Sequence, residues 1–297
     1  MAKRPHSSGV DNAHAETGDG VVVSRFGSEI LFETESGITH RGKVRRKLAD
    51  IVCGDFVRYE KIGSDYAITK ILKRKNTLVR QYFRGTPRNI AANIDQVIVV
   101  IAPAPATDWQ MLDNLLVSIH RLPAEALIVF NKTDLVDKNY GTLNEFKSLG
   151  YTIIKTNKDS GLAELKKHLK NKTSIFIGQS GVGKTTLTNI LIPEINAPTK
   201  ALSESSDHGQ HTTSNSIMYQ LPEGGKIIDS PGIRDFTPLP LEKALYQSGF
   251  IEFEPFMNQC RFHNCLHRNE PNCAIKQAVE NKEISQRRYQ SYLALTE

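Results

Sequence analysis

Cysteine is scarce in this chain, four in 297 residues, and three of the four crowd between positions 260 and 273. Crowding of that kind in a reducing compartment points to metal binding rather than to disulfides. Long apolar runs are missing as well. None approaches the ~20 residues a membrane span needs, and the longest, 97–104, is broken by Pro103 and followed by Pro105. The N-terminus is basic but has no apolar stretch of the signal-peptide kind. A cytoplasmic protein with no membrane partner is therefore expected. Two absences concern motifs. No second Asn-Lys-x-Asp follows the glycine-rich loop at 178–185, and no Gln stands directly after the Asp-x-x-Gly at 229–232.

Apolar residues make up 39% and charged residues 24% of the chain, the balance of a soluble globular protein. The net charge of +6 is unevenly spread: positions 41–88 hold 14 Lys/Arg against four Asp/Glu. A basic block on an otherwise mildly acidic chain is the footprint of a polyanion partner, with a merely solvated surface as the plain alternative. Arg41, Lys43, Arg45, Arg46 and Lys47, with Lys73, Arg74 and Lys75, are the candidate RNA contacts.

The chain reads as multi-domain. Residues 1–17 are polar and aperiodic and are expected to form a disordered arm. The stretch 18–78 holds five β-type runs (21–23, 30–32, 51–52, 56–59 and 66–68) separated by glycine-containing turns. That pattern predicts a small β-barrel of the OB-fold kind, whose face and loops commonly bind nucleic acid; an SH3-like barrel would show much the same pattern. The segment 41–47 is expected on a connecting loop or strand edge. From 79 to 237 buried-type strands (95–102, 126–130, 151–154, 174–177, 218–221 and 226–229) alternate with helical segments such as 109–121, 162–169 and 184–191. Such alternation predicts a largely parallel, doubly wound α/β sheet. Residues 238–297 are helical at both ends and cysteine-rich in the middle.

Gly178-Gln179-Ser180-Gly181-Val182-Gly183-Lys184-Thr185, running from a strand into a helix with Thr186 next, is a phosphate-binding P-loop. Its backbone N–H groups would cradle phosphates at the helix N-terminus. Lys184 would bridge the β- and γ-oxygens, and Thr185 would bind Mg²⁺. Asn131-Lys132-Thr133-Asp134 selects guanine. A carboxylate accepts from the N1–H and exocyclic amine of that base, whereas adenine would leave the charge unpaired. Lys132 would lay its aliphatic stem along the ring. The loop 155–158 stands where GTPases often carry a further base-binding element, here degenerate. Asp229-Ser230-Pro231-Gly232, 45 positions after Lys184, matches the γ-phosphate sensor, with Asp229 reaching Mg²⁺ through water and the Gly232 N–H touching the γ-phosphate. The polar loop 203–216 has switch composition, and Thr212 or Thr213 could close on Mg²⁺.

The guanine motif precedes the phosphate loop, the reverse of an ordinary GTPase. If one nucleotide serves both, the domain is a circularly permuted GTPase. Ile233 occupies the place of the water-orienting Gln, so slow intrinsic hydrolysis is expected. His211 is the chain's own candidate for the missing group, and a partner is the alternative. The cysteine cluster, Cys260-x4-Cys265-x-His267-x5-Cys273, offers three thiolates and an imidazole within 14 residues, the donor set of a closed structural zinc site. His263 rivals His267 as fourth ligand. Cys53 is expected to be an ordinary half-buried thiol.

With these motifs in view, the chain resembles the bacterial ribosome small-subunit-dependent GTPase (RsgA) family over nearly everything after residue 18. The resemblance rests on the barrel, the permuted motif order, Gly209-Gln210-His211-Thr212-Thr213, Asp229-Ser230-Pro231-Gly232 and the cysteine spacing. It implies a monomeric late-stage assembly factor that binds the small ribosomal subunit and its rRNA. It also implies hydrolysis of GTP to GDP there, stimulated by the subunit, and carriage of one structural zinc on Cys260, Cys265, His267 and Cys273. An RNA-binding nucleotide switch with negligible turnover is the alternative, and a metabolic P-loop kinase is disfavoured by Asn131-Lys132-x-Asp134. The permuted order also suggests that the γ-phosphate sensor feeds directly into the C-terminal segment, so that nucleotide state would set the angle between two RNA-contacting ends.

Overall fold

Alternating apolar residues between tight turns produce five N-terminal strands: β1 (Glu16–Phe26), β2 (Glu29–Thr34), β3 (Thr39–Val44), β4 (Phe56–Ile62) and β5 (Asp65–Ile71). The computed structural model describes residues 16–81, 85–136, 141–192, 216–230 and 236–297. β1 pairs with both β2 and β4, β2 with β3, β3 with β5 in parallel, and β5 with β4. The sheet thus closes in the order 1-2-3-5-4-1, a five-stranded barrel of OB type. Val22, Ile30, Phe32, Val57 and Ile68 fill it.

Three local expectations change. The apolar pair Ile51-Val52 is not a strand; Ile51 instead plugs the barrel core from a loop and is fully buried. The basic segment supplies strand β3, followed by a 3-10 turn at Arg46–Leu48. Gly42 in β3 is buried, and an added Cβ there would meet Ile68 and Phe32 at 3.0 and 3.1 Å. Glu16 and Thr17, assigned to the arm, belong to β1 and pair with Lys61 and Glu60; residues 1–15 lie outside the described residues.

The stretch after the barrel is itself structured. β6 (Thr77–Arg80) and β7 (Arg88–Ala92) form an antiparallel pair, and β7 is tied to the barrel by a Cys53–Ala91 bridge and by Asn93 Nδ2 donating to Gly54 O at 2.8 Å.

The central sheet runs β10 (Thr152–Lys155), β9 (Glu125–Phe130), β8 (Gln96–Ile101), β11 (Thr173–Ile177), β13 (Lys226–Asp229), β12 (Ile217–Gln220). The first five are parallel and β12 is antiparallel. Being buried on both faces, β8 is apolar at nearly every position. Val97, Val99 and Ile101 face α1 (Trp109–His120) and α2 (Gly141–Ser148); Ile98 and Val100 face α3 (Leu162–Leu169) and α4 (Lys184–Leu191). Asp108 caps α1, accepting from Met111 N at 2.9 Å. β12 also pairs with β1, so barrel and central sheet form one continuous eleven-stranded sheet.

The C-terminal unit comprises α5 (Lys243–Gln247), a 3-10 stretch (Ile251–Gln259), α6 (Ala274–Glu280) and α7 (Gln286–Leu295). Phe250, Phe253, Ile275 and Tyr292 form its core together with Val117 of α1. Gly249 lies so close to Val117 that a Cβ there would come within 2.4 Å of its side chain. No helix among the described residues is long and apolar enough to cross a membrane.

Candidate functional site

The phosphate loop follows β11 and the guanine motif follows β9, on either side of β8 and at the carboxyl ends of the parallel strands. Strand order reverses here, since the chain moves outward from β8 to β9 and β10 and then returns to place β11 on the other flank. Ligand clefts in doubly wound sheets form at such a switch point. Two glycines make the loop possible. Gly178 has φ 137 and passes Val100 O so closely that a Cβ would sit 2.2 Å from it; Gly183 has φ 100 and would meet Asn131 Nδ2 at 2.3 Å.

That second contact joins the two motifs. Asn131, buried at the end of β9, donates through Nδ2 to Val182 O at 2.9 Å. Its Oδ1 accepts from the buried Thr156 hydroxyl at 2.9 Å. Lys132, in the left-handed region at φ 59, extends its amine to Gly181 O at 2.6 Å and Ala104 O at 2.7 Å. Its stem therefore spans the opening toward the loop. Thr133 is fixed by Thr156 O, which accepts from its N and Oγ1, each at 3.2 Å. Asp134 is exposed and makes no hydrogen bond or ion pair among the described residues, so its carboxylate is open to a ligand.

Asn131, Lys132 and Asp134 line a cleft of about 250 Å³ with Leu135, Asn157, Lys158, Gly183, Thr186, Leu187 and Ile190. Leu135 and Ile190 are exposed apolar side chains here, 55% and 41% accessible, on opposite motifs. An exposed apolar pair flanking a carboxylate suits a flat aromatic base with polar edges. Asn157 and Lys158 belong to the 155–158 loop that the sequence offered as a degenerate base-binding element, whereas Leu135 and Ile190 were not among the residues singled out from sequence. The only signal for those two was position, Leu135 directly after Asp134 and Ile190 on the helix that opens at Lys184.

Gln179, Ser180 and Gly181 continue the loop, and Lys184 donates from its amine to Gly178 O at 2.6 Å and Gln179 O at 2.7 Å, within the curve of the loop. Thr185 and Thr186 stand exposed in the first turn of α4. Asp229 is the exposed last residue of β13. His211, Thr212, Thr213, Gly232 and Ile233 lie outside the described residues.

The second cluster is in the C-terminal unit. One ligand atom each from Cys260, Cys265, His267 and Cys273 lies within 4.8 Å of all the others, so the four could hold a metal ion. Cys260 Sγ is 3.9 Å from Cys273 Sγ and 3.6 Å from His267 Nδ1, and His267 Nδ1 is 3.4 Å from Cys273 Sγ. Tetrahedral zinc with bonds of about 2.3 Å to sulfur and about 2.0 Å to nitrogen requires edges of about 3.8 and 3.6 Å, so the donors fit that ion. His263 is exposed and outside the group.

The rest of the unit positions these donors. His267 takes φ 56, and its Nε2 lies 3.2 Å from Gln247 Oε1, which leaves Nδ1 turned toward the sulfurs. Tyr289 and Tyr292 of α7 donate to His267 O and Leu266 O at 2.7 Å each. Burial lowers the His267 pKa and keeps the ring neutral, as a ligand must be; burial also pushes the Cys265 thiol up to about 12 and raises that of Cys273. Cys53 is remote and fully rather than half buried. Burial raises its pKa, and its thiol donates to Val23 O at 3.2 Å.

The basic residues divide into two groups. Arg45, Arg46, Lys47 and Lys73 are exposed and make no ion pair among the described residues. Arg41 and Lys43 make exposed pairs with Glu29 and Asp65 at 3.3 and 3.4 Å, the weak kind. Arg74 is an internal anchor: its guanidinium grips the fully buried Asp55 at 2.7 and 2.9 Å and reaches Asp50 at 3.3 Å. Lys75 pairs with Asp95 at 3.0 Å.

Comparison with known proteins gives a consistent picture. The sequence model of the RsgA GTPase family matches residues 71–238. A small ribosomal subunit biogenesis GTPase RsgA of Actinobacillus pleuropneumoniae serotype 5b (strain L20) is 39% identical, over 99% of this chain and 89% of its own length. That of Hahella chejuensis is also 39% identical, over 94% and 84%. Among solved structures, YjeQ from Thermotoga maritima superposes with a TM-score of 0.75 at 31% identity, covering 95% of this chain and 98% of its own. YloQ, described as a circularly permuted GTPase, superposes with a TM-score of 0.74 at 25% identity, covering 96% of each.

Proposed function

Since the chain belongs to the RsgA GTPase family, we propose that it binds the small ribosomal subunit through rRNA and hydrolyses GTP to GDP and phosphate there, late in subunit maturation. On this reading it acts in the cytoplasm as a monomer, and the subunit stimulates its turnover. The observation that carries the nucleotide half is the Asn131–Val182 hydrogen bond at 2.9 Å, which locks the guanine motif onto the phosphate loop. One nucleotide can then engage both despite their inverted order. Base and phosphate recognition are built into one rigid corner, so guanine fit and phosphate alignment are coupled.

The chain's own groups divide the work. Asp134 accepts from the guanine edge, and Lys132 covers the ring. Lys184 and the loop N–H groups stabilise charge on the β- and γ-oxygens as the terminal phosphoryl leaves. Thr185 and Asp229 would hold Mg²⁺, joined by Thr212 or Thr213, and the ion would supply positive charge that offsets the negative charge of the phosphates. His211 is the candidate for orienting the attacking water, and unchanged subunit-stimulated turnover in His211→Ala would refute that assignment. Cys260, Cys265, His267 and Cys273 would hold a structural zinc with no open position and hence no catalytic role.

The polyanion half rests on the exposed Arg45, Arg46, Lys47 and Lys73. Sedimentation with purified small subunits tests it. Binding should be stronger with a non-hydrolysable GTP analogue than with GDP and should weaken steeply with salt. Salt-independent or absent binding would contradict the reading.

A further inference from the structure

The barrel and the γ-phosphate sensor are joined through three serines, of which Ser24 and Ser230 are buried and Ser216 is half-buried. β1 pairs with β4 up to Val21, shifts register against β2 between Val22 and Ser24, and at Ser24 pairs with Ile217, the first residue of β12. Ser24, 1% exposed, donates from Oγ to Ser216 O at 2.9 Å. Ser216 Oγ lies 2.8 Å from Ser230 Oγ. Ser230 is itself buried and directly follows Asp229. Ser24 within β1, Ser216 just before β12 and Ser230 just after β13 are therefore linked from the barrel to the motif through the carbonyl and the hydroxyl of Ser216.

The other end of β12 is also fastened to the barrel. Glu33 of β2 accepts from Gln220 Nε2 at 2.9 and 3.0 Å and from Lys226 Nζ at 3.1 Å. β12 is only four residues long and is hydrogen-bonded on both sides, to β1 and to β13. A displacement of the barrel must then move β12, and Ser216 with it. Packed, hydrogen-bonded elements of this kind shift between discrete arrangements rather than deforming smoothly.

We propose that Ser24 is a positioning residue for GTP hydrolysis. Through Ser216 and Ser230 it sets the end of β13 where Asp229 stands, and a partner held by the barrel acts on the γ-phosphate site by this route. The inference rests on the function proposed above and deepens it, because it states where the stimulating signal enters. Ser24 touches no nucleotide; its effect is on geometry reached only when the barrel is engaged.

The test compares the unsubstituted protein with Ser24→Ala, Ser24→Thr, Ser230→Ala and the Ser24→Ala/Ser230→Ala double variant, measuring GTP turnover across a titration of purified small subunits. For Ser24→Ala, basal turnover, GDP affinity and the half-saturating subunit concentration stay within about twofold, while turnover at saturating subunit falls about tenfold, in the range of couplings carried by packed networks. Ser24→Thr, which keeps the hydroxyl, restores stimulation. The double variant is no worse than Ser230→Ala alone, as required of two residues acting in one chain. Full stimulation in Ser24→Ala, additive losses in the double variant, or a loss that appears only as weaker subunit binding would overturn the inference and leave the function reading intact. A Ser24→Thr variant as impaired as Ser24→Ala, with a lowered melting temperature, would make Ser24 a packing residue and also overturn it. If the unsubstituted protein shows no stimulation, the function reading falls and takes the inference with it.

Discussion

Arg288 of α7 donates to Asp113 of α1 at 2.6 Å, and neither side chain reaches water. The same guanidinium bonds Glu252 at 2.6 and 2.8 Å and lies 4.6 Å from the Phe250 ring centroid, while Arg287 grips Asp113 and Glu145. Two arginines of the C-terminal unit are thus clamped by carboxylates of α1 and α2, helices remote in sequence from the γ-phosphate sensor. The permuted order predicts that nucleotide state rocks this unit directly. The buried ion pairs put that idea under a strong constraint, because any large change of angle must expose or unpair Arg288. The barrel, by contrast, is joined to the motif itself.

Removing Asp113 tests that constraint. Asp113→Ala leaves Arg288 with Glu252 as its one carboxylate partner among the described residues and takes from Arg287 its better-buried partner, a change that costs about 3–5 kcal/mol when a buried pair is broken. Urea unfolding should show that loss of stability, with the C-terminal unit detaching first. A change below about 1 kcal/mol would mean that the pairs are dispensable for docking.

Metal binding should be proton-linked. In the metal-free chain burial holds the Cys265 pKa at about 12 and raises that of Cys273, so both thiols carry protons at neutral pH. A metal ion must displace those protons, so affinity rises with pH and falls as acid restores them. Calorimetry of zinc binding in buffers of different ionisation enthalpy should report proton release. Cys273→Ser should abolish stoichiometric zinc and loosen the 260–273 loop, while GDP affinity is retained because the nucleotide cleft shares no residue with the cluster.

Guanine selection should reside in one carboxylate. Asp134→Asn should weaken GDP by about 2 kcal/mol or more, roughly thirtyfold, since charge-assisted bonds to the base edge are lost. The amide can instead donate to the 2-oxo group of xanthine, so xanthosine diphosphate should gain affinity. Equal weakening of both nucleotides would place the selection elsewhere in the cleft.

The basic residues should separate into two phenotypes. Arg45→Glu with Arg46→Glu should weaken subunit binding and flatten its salt dependence without changing the melting temperature, because both side chains are exposed and make no ion pair among the described residues. Arg74→Ala should act on folding instead, leaving the buried Asp55 carboxylate without its guanidinium, at a cost of about 3 kcal/mol. A salt slope unchanged in the first variant would remove this face from the interface.

Much of this architecture could be read in the sequence where residue type and spacing are tied to chemistry. Gly178 and Gly183 are required by close backbone and side-chain approaches, and the 260–273 spacing is the donor cluster itself. Residue type misleads where burial and secondary structure part company. Ile51 is apolar because it plugs the barrel, although it is not in a strand. Thr39–Val44 is a strand although its outward positions are charged. Arg74 counted as surface charge because its partner Asp55 is distant in sequence and buried only after folding. The fusion of β1 to β12 joins residues 192–193 positions apart, and no local pattern records such a pairing.

The most direct test is steady-state GTP turnover measured alone, with purified small subunits and with purified large subunits, with ATP in parallel. Slow turnover alone, a rise that saturates with small subunits only, and no comparable turnover of ATP are expected. Flat, near-zero turnover under all conditions, with GTP-dependent subunit binding retained, would contradict the proposed function and leave an RNA-binding nucleotide switch in its place.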